Sequence, residues 1–298
     1  MRLDPALLAR LGPMAIKARV IVDSVLAGQH RARRHGSSIE FAEHKEYSPG
    51  DELRHVDWKA LAKLDRYYVK RFEQESQLTA YLVLDASGSM RFAGAGPAKV
   101  DYGASCLAAL AYLIGREQDQ VGLYAFGARP RHVPPRAKGH HLTDLFAVLD
   151  EVLADPDGGD ASPAEALERV GELCRRRRSL IVLASDLFDP DDETIGALTR
   201  LKARRHDVAV AHVLAPEERT LPYDGLTRFE DLEGDHRLLA NPTAIRADYI
   251  ARMDGFLAAT RERLAAAGID YHLTPTDRAL DDAVVAIVGN RRSAGERR

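Results

Sequence analysis

The stretch YLVLDASGSM, residues 81–90, decides how the chain folds. Four apolar or aromatic residues run straight into Asp85, and serines follow at alternate positions, Ser87 and Ser89. A short continuous apolar run of this kind reads as a strand buried on both faces. A buried strand that closes on one carboxylate and two hydroxyls needs a use for them, either a turn or a ligand.

The same texture recurs on either side. Further candidate strands are QVGLYAFG (120–127), SLIVLASDL (179–187), HDVAVAHVLA (206–215) and IDYHLTP (269–275), with LTAYLVLD (78–85) the first. Helical patterns lie between them. KVDYGASCLAALAYLIGR (99–116) is apolar almost all round and is therefore expected to be buried. HLTDLFAVLDEVLADP (141–156), SPAEALERVGELCRRRR (162–178) and DDETIGALTRLKARR (191–205) follow. The last long pattern, residues 241–268, has Asn241 or Thr243 as cap, Pro242 in the first turn and Gly268 after its end. Buried strands alternating with helices predict an α/β fold, a doubly wound and mostly parallel sheet covered on both faces.

That domain is expected to span residues 78–298, behind an N-terminal segment, residues 1–77, packed on it. The segment opens with two short helical patterns, 4–11 and 14–27, the second closed by Gly28. A polar, basic stretch with the sole tryptophan, Trp58, follows and reads as extended segments and turns.

Composition narrows the function classes. A chain of 298 residues can bury a large core, and 45% hydrophobic with 29% charged residues excludes wholesale disorder. The net charge of -3 argues against a nucleic-acid or membrane-surface binder. No apolar stretch approaches the ~18–20 residues of a bilayer span. The first residues are broken by Asp4, Pro5, Pro13 and Lys17, unlike a secretory signal. Cys106 and Cys174 fall in helical patterns, so no disulfide framework is expected and the cytoplasm is the default compartment.

In open parallel sheets, ligands bind beyond the carboxyl ends of the strands, where strand order reverses. Asp85 stands at such an end, and Asp186 closes a second apolar run in the same position. Ser87 and Ser89 can turn two hydroxyls to the side that Asp85 faces. An oxygen-only cluster suits a hard divalent ion, Mg2+ above all, with Mn2+ open. Neutral hydroxyls leave much of the ion's charge uncompensated, so a carboxylate from a partner can complete its shell. The same three residues also suit a helix-capping turn that holds no metal.

The Asp85, Ser87, Ser89 pattern, D-x-S-x-S, followed by a helix and a later strand-end Asp186, resembles the metal-ion-dependent adhesion site of von Willebrand factor type A domains. Upstream, Tyr47, Pro49, Gly50, Asp51, Arg54, Asp57 and Trp58 form Y-x-P-G-D-x-x-R-x-x-D-W. This is similar to the signature of the bacterial domain of unknown function 58 family, in which it precedes a type A domain. The resemblance implies a non-enzymatic, metal-dependent protein-interaction module. Asp85, Ser87 and Ser89 would hold Mg2+, and Asp186 would orient its waters. It also implies a partner among the AAA+ ATPases of the MoxR type, in chaperone-like assembly or stress roles. Type A domains usually add a threonine from a second loop, and Ala161 stands at the aligned position of DPDGGDASPAEALERV. Asp160 or Ser162 would then take over. Asp160 would hold the ion better and attract a partner carboxylate less.

An enzyme is the competing class. An apolar strand ending in Asp also opens Mg2+-dependent phosphohydrolases of the haloacid dehalogenase type, with Asp85 as nucleophile. Those enzymes carry a second carboxylate two residues on, where Ser87 stands, and no lysine from a middle loop is evident. Asp189, Asp191 and Asp192 read as caps of the next helix, and Arg175 to Arg178 as a solvated helix end. His140 and His141 read as exposed loop residues, and Asp51, Arg54 and Asp57 as an ion-pair network tying the upstream segment to the sheet.

Overall fold

The computed structural model describes residues 13–33, 44–46, 68–70, 78–137, 140–159, 161–188, 193–234 and 236–295. The chain divides into two compact units, residues Met1–Ala27 with Leu78–Arg298, and residues Gly28–Gln77. In the smaller unit the described residues form an antiparallel pair, β1 (His44–Glu46) and β2 (Tyr68–Lys70), with Lys45 opposite Val69. The signature residues Tyr47 to Trp58, with the expected Asp51, Arg54 and Asp57 network, lie outside the described residues, as does the helical pattern 4–11.

The larger unit is built on β3 (Thr79–Asp85), β4 (Gln120–Phe126), β5 (Arg131–Arg136), β6 (Leu180–Ser185), β7 (Asp207–Leu214) and β10 (Asp270–Pro275). Their order across the sheet is β10-β7-β6-β3-β4-β5. Every pairing is parallel except that of β5, which runs antiparallel to β4. The chain winds outward from β3 through β4 to β5, then returns to β6 on the other side of β3. The reversal of strand order therefore lies between β3 and β6. This is the expected doubly wound, mostly parallel sheet. β5 was not among the expected strands, and Pro134 and Pro135 interrupt its strand pattern. Proline is tolerated on an edge strand, and β5 is the edge.

Alternation along β3 sends Ala80, Leu82 and Leu84 to one core and Tyr81 and Val83 to the other. The first core is closed by α1 (Met14–Arg33), α2 (Lys99–Arg116), α3 (His141–Ala154) and α8 (Leu280–Gly295). The second is closed by α4 (Pro163–Leu173), α5 (Glu193–Ala203) and α7 (Pro242–Ala266). α1 runs on to Arg33 instead of stopping at Gly28. Its Met14, Ala18, Ile21 and Val22 are buried, and Lys17 Nζ pairs with Asp101 at 2.8 Å, so this helix belongs to the main core.

α2 is buried along most of its length, as its apolar pattern predicts. Asn241 caps α7, its Oδ1 accepting the Thr243 N–H at 3.2 Å, with Pro242 first in the helix and Gly268 (φ +69°) beyond it. Cys106 and Cys174 are free and buried. His141 departs from expectation. It opens α3 as a buried residue with Nε2 2.6 Å from the Val121 carbonyl, while His140 is exposed. The register of β4 against β5 shifts between Val121 and Leu123, and His141 takes up the Val121 carbonyl at that irregularity. After β7 come a short helix, α6 (Pro216–Thr220), and an unanticipated hairpin, β8 (Thr227–Glu230) with β9 (Arg237–Ala240). No helix among the described residues is long and apolar enough to cross a membrane.

Candidate functional site

The carboxyl ends of β3 and β6 flank the reversal of strand order, where such a sheet opens a crevice. Asp85 is the last residue of β3 and is 1% exposed. Its Oδ1 accepts the Ser87 N–H at 3.0 Å and the Ser87 hydroxyl at 2.6 Å, and its Oδ2 accepts the Ser185 hydroxyl at 2.6 Å. Ser87 Oγ lies 3.2 Å from Ser89 Oγ. The three expected oxygen donors thus form one continuous row, running from the buried carboxylate to the partly exposed Ser89. Burial, and then the nearby Asp186 charge, push the Asp85 carboxyl up to about 7, against the opposing pull of the Ser185 and Ser87 hydrogen bonds.

Asp186, the residue after β6, is also buried, but it does not face this row free-handed. Its Oδ2 accepts from Lys99 Nζ at 2.8 Å and its Oδ1 from the Phe188 N–H at 3.2 Å. Lys99 is the first residue of α2 and is 0% exposed. Its ammonium also meets Glu218 Oε1 of α6 at 2.5 Å, while Glu218 Oε2 accepts the Ala215 N–H at 2.7 Å. Burial alone would lower the Lys99 pKa; Asp186 and Glu218 outweigh it and hold the ammonium above its ordinary value. Sequence reasoning missed this ion triad. The signal was a lysine heading an apolar helix, where positive charge opposes the macrodipole and calls for buried carboxylates.

A second loop closes over the serine turn. The Gly88 N–H donates to the Gly159 carbonyl at 3.1 Å, and the Ala128 N–H to that of Gly158 at 2.7 Å. A Cβ on Gly158 would stand 2.5 Å from the Gly88 nitrogen, so only glycine allows this approach. Asp160, next along, lies outside the described residues. Ala161 packs against the second core, and Ser162 is engaged as the cap of α4, accepting the Glu165 N–H at 3.3 Å.

The β8–β9 hairpin reaches the site from the remaining side. Its tip places Glu233 Oε1 3.0 Å from the Ser89 nitrogen, where it accepts the N–H. The Leu232 carbonyl lies over Gly88, 2.2 Å from where a Cβ would stand. Between hairpin and sheet is a cleft of about 710 Å³, lined by Ser89, Phe92, Phe188, Phe229, Leu238 and Ile245 among others.

Of the expected ligands, Asp85, Ser87 and Ser89 come together. Asp186 stands at the same sheet end but is bound to Lys99. The hard oxygens of the first three suit a hard divalent ion. The set is lean, because no group of three His, Cys, Asp or Glu among the described residues could hold an ion. Waters and an external anion would have to complete the shell.

The sequence profile of the family described as "Protein of unknown function DUF58" matches residues 43–255. An uncharacterised protein of Mycobacterium tuberculosis, Rv1480, is 29% identical over 296 residues, covering 97% of this chain and 91% of that one. The uncharacterised protein YeaD of Bacillus subtilis is 23% identical over 164 residues, 55% of this chain and 38% of its own length. Among solved structures, the conserved hypothetical protein BatB from Bacteroides thetaiotaomicron is similar over 72% of this chain and 99% of that one, with 16% identity and a TM-score of 0.48.

Proposed function

The chain belongs to the DUF58 family, and from that footing we propose that it is a non-enzymatic protein-interaction module whose binding depends on a divalent ion. The observation that carries this reading is the row of Asp85 Oδ1, Ser87 Oγ and Ser89 Oγ at the switch point of the sheet. Asp85, Ser87 and Ser89 would hold Mg2+, or Mn2+ in its place. The bound ion would supply a positive charge able to ligate a carboxylate from a partner. Lys99 holds Asp186 and offsets its charge, so the site does not repel that incoming carboxylate as strongly as two bare aspartates would. The partner we propose is an AAA+ ATPase of the MoxR type, as the upstream signature implies, and the compartment we propose is the cytoplasm, from the cysteine usage.

Two features favour this over phosphoryl transfer. Both Asp85 oxygens already accept hydrogen bonds, and the carboxylate is almost wholly buried, whereas a nucleophile needs an approach for phosphorus. Lys99, the basic group at this end, pairs with Asp186 and Glu218.

The test is capture of a MoxR-type ATPase by the immobilised full chain in Mg2+ and in EDTA, with Asp85→Asn and Ser89→Ala beside the wild type. Retention by wild type in Mg2+ alone is expected. Equal retention in EDTA would remove the metal from the reading. Hydrolysis of p-nitrophenyl phosphate that Asp85→Asn abolishes would replace the reading with the enzymatic one.

A further inference from the structure

We propose that the cleft beside Ser89 seats a partner segment in which an apolar side chain precedes a carboxylate. The chain's own Leu232–Glu233 holds that seat until the partner displaces it. The inference rests on the interaction-module reading and adds what the partner must present and what it must displace.

Three observations point to it. Ser89 is the partly exposed end of the serine turn, and the acceptor its N–H finds is a carboxylate from far along the chain, Glu233 Oε1 at 3.0 Å. That carboxylate is exposed at the tip of a hairpin outside the main sheet, so displacing it breaks no core contact. The hairpin backbone sits directly on Gly88, where a side chain would exclude it.

The chemistry of the cleft names the rest of the occupant. Phe92, Phe188, Phe229, Leu238 and Ile245 make most of its lining apolar, while Glu217, Glu218, Glu230 and Asp231, against Arg228, give it an acidic border. Phe188, Leu232 and Leu238 are more than half exposed, leaving apolar surface beside the serine turn that a partner's apolar side chain would cover. An apolar residue in the cleft with a carboxylate at the Ser89 N–H reproduces what Leu232–Glu233 already does. A segment without a carboxylate leaves the Ser89 N–H without the acceptor that Glu233 now provides, and one without an apolar residue leaves the apolar lining uncovered. The carboxylate would also lie at the partly exposed end of the oxygen row, where a bound ion would draw it in.

The probe is the hairpin itself, as the fluorescein-labelled peptide FEDLEGDHRL (residues 229–238), measured by polarisation against the full chain. Leu232→Ser/Glu233→Ser empties the seat. Both side chains are exposed, so the variant is expected to fold, and circular dichroism checks it. The emptied variant should bind the peptide at least about tenfold more tightly than wild type, whose own hairpin competes at high local concentration. Replacing the peptide's Glu233 by glutamine, with Glu230 kept, should weaken binding about tenfold, the worth of a charge-assisted hydrogen bond. Gly88→Ala added to the emptied variant should abolish binding, since the new Cβ fills the seat.

Equal binding by wild type and emptied variant, or none by the emptied variant, would overturn the proposal. Repeating the titration in EDTA separates it from the metal reading. Binding kept in EDTA upholds the seat and removes the ion; binding lost in EDTA upholds both. If sedimentation shows a wild-type dimer that the emptied variant lacks, the occupant is a second copy's hairpin, and the proposal of a distinct partner fails.

Discussion

Replacing Lys99 by methionine removes one buried ammonium and keeps an unbranched side chain of similar length, so the main loss is charge. In the wild type, Nζ lies 2.8 Å from Asp186 and 2.5 Å from Glu218, with the Lys99 side chain 0%, Asp186 2% and Glu218 18% exposed. Glu218 keeps the Ala215 N–H at 2.7 Å and some access to water. Asp186 keeps only the longer bond from Phe188, at 3.2 Å, among its resolved carboxylate hydrogen bonds. The penalty therefore falls on Asp186. Removing one partner of a buried ion pair costs about 3–5 kcal/mol, because the other charge stays buried and uncompensated. At roughly 2–4 °C per kcal/mol for a domain of this size, the thermal midpoint in EDTA should fall by about 6–20 °C.

The same variant reports on the metal. With the ammonium gone, Asp186 becomes a second carboxylate near Asp85 with no cation paired to it. Mg2+ should therefore raise the midpoint of Lys99→Met by more than it raises that of the wild type. Adding Asp186→Asn removes the stranded charge, and the midpoint in EDTA should recover by at least half, since a buried pair replaced by neutral groups is often close to neutral in stability. Circular dichroism melts of the four proteins, with and without Mg2+, decide the matter. A single variant within about 2 °C of wild type, or a double variant no more stable than the single, would refute the ion-triad account.

Three further outcomes follow from the same geometry. In EDTA, folded Asp85 keeps its proton up to about 7 against an ordinary value of 3.8; the folded state binds more protons between these values, so stability falls as pH rises through that window. Urea midpoints should show that slope in wild type and lose it in Asp85→Asn, and Mg2+, which competes with the proton, should bind more tightly toward its upper end. Ser87→Ala deletes the hydroxyl 2.6 Å from Asp85 Oδ1 and should cost about 1–3 kcal/mol in EDTA, with loss of any Mg2+-induced rise in midpoint. Gly158→Ala forces a methyl to within 2.5 Å of the Gly88 nitrogen; it should cost about 1–3 kcal/mol and abolish the Mg2+ response although Gly158 offers no ligating side chain, as parallel melts and Mg2+ titrations would show.

The parallel strands were legible because both faces are buried, and burial on both faces writes a continuous apolar run. LVLD and IVLAS need no alternation to be recognised. β5 was illegible for the opposite reason. RHVPPR carries two prolines, and their tolerance depends on being at an edge, which exists only once the sheet has assembled. The β8–β9 hairpin leaves no trace because Leu226, Leu238 and Leu239 are exposed, so no core imposes a period on them. α8 was readable and passed over: Leu280, Ala283, Val284 and Ile287 recur at helical spacing and are all buried.

The site divides along the same line. Asp85, Ser87 and Ser89 were found because they are neighbours in sequence, and a turn converts sequence neighbours into spatial ones. Lys99, Glu218 and Glu233 meet them only through the winding of the sheet and the return of the hairpin. These long-range partners set the charge around the short motif. Asp186 and Glu218 share one ammonium, and burial raises the Asp85 pKa to about 7. The serine turn itself adds no charge. What faces outward beside the serine turn is one N–H already given to the Glu233 carboxylate, next to a cleft bordered by Glu217, Glu218, Glu230 and Asp231. Further aspartates in place of Ser87 and Ser89 would bind a cation more tightly and repel any incoming acid. The hydroxyls would hold an ion more weakly and add no charge against an incoming carboxylate, which is what both the proposed partner and Glu233 would require.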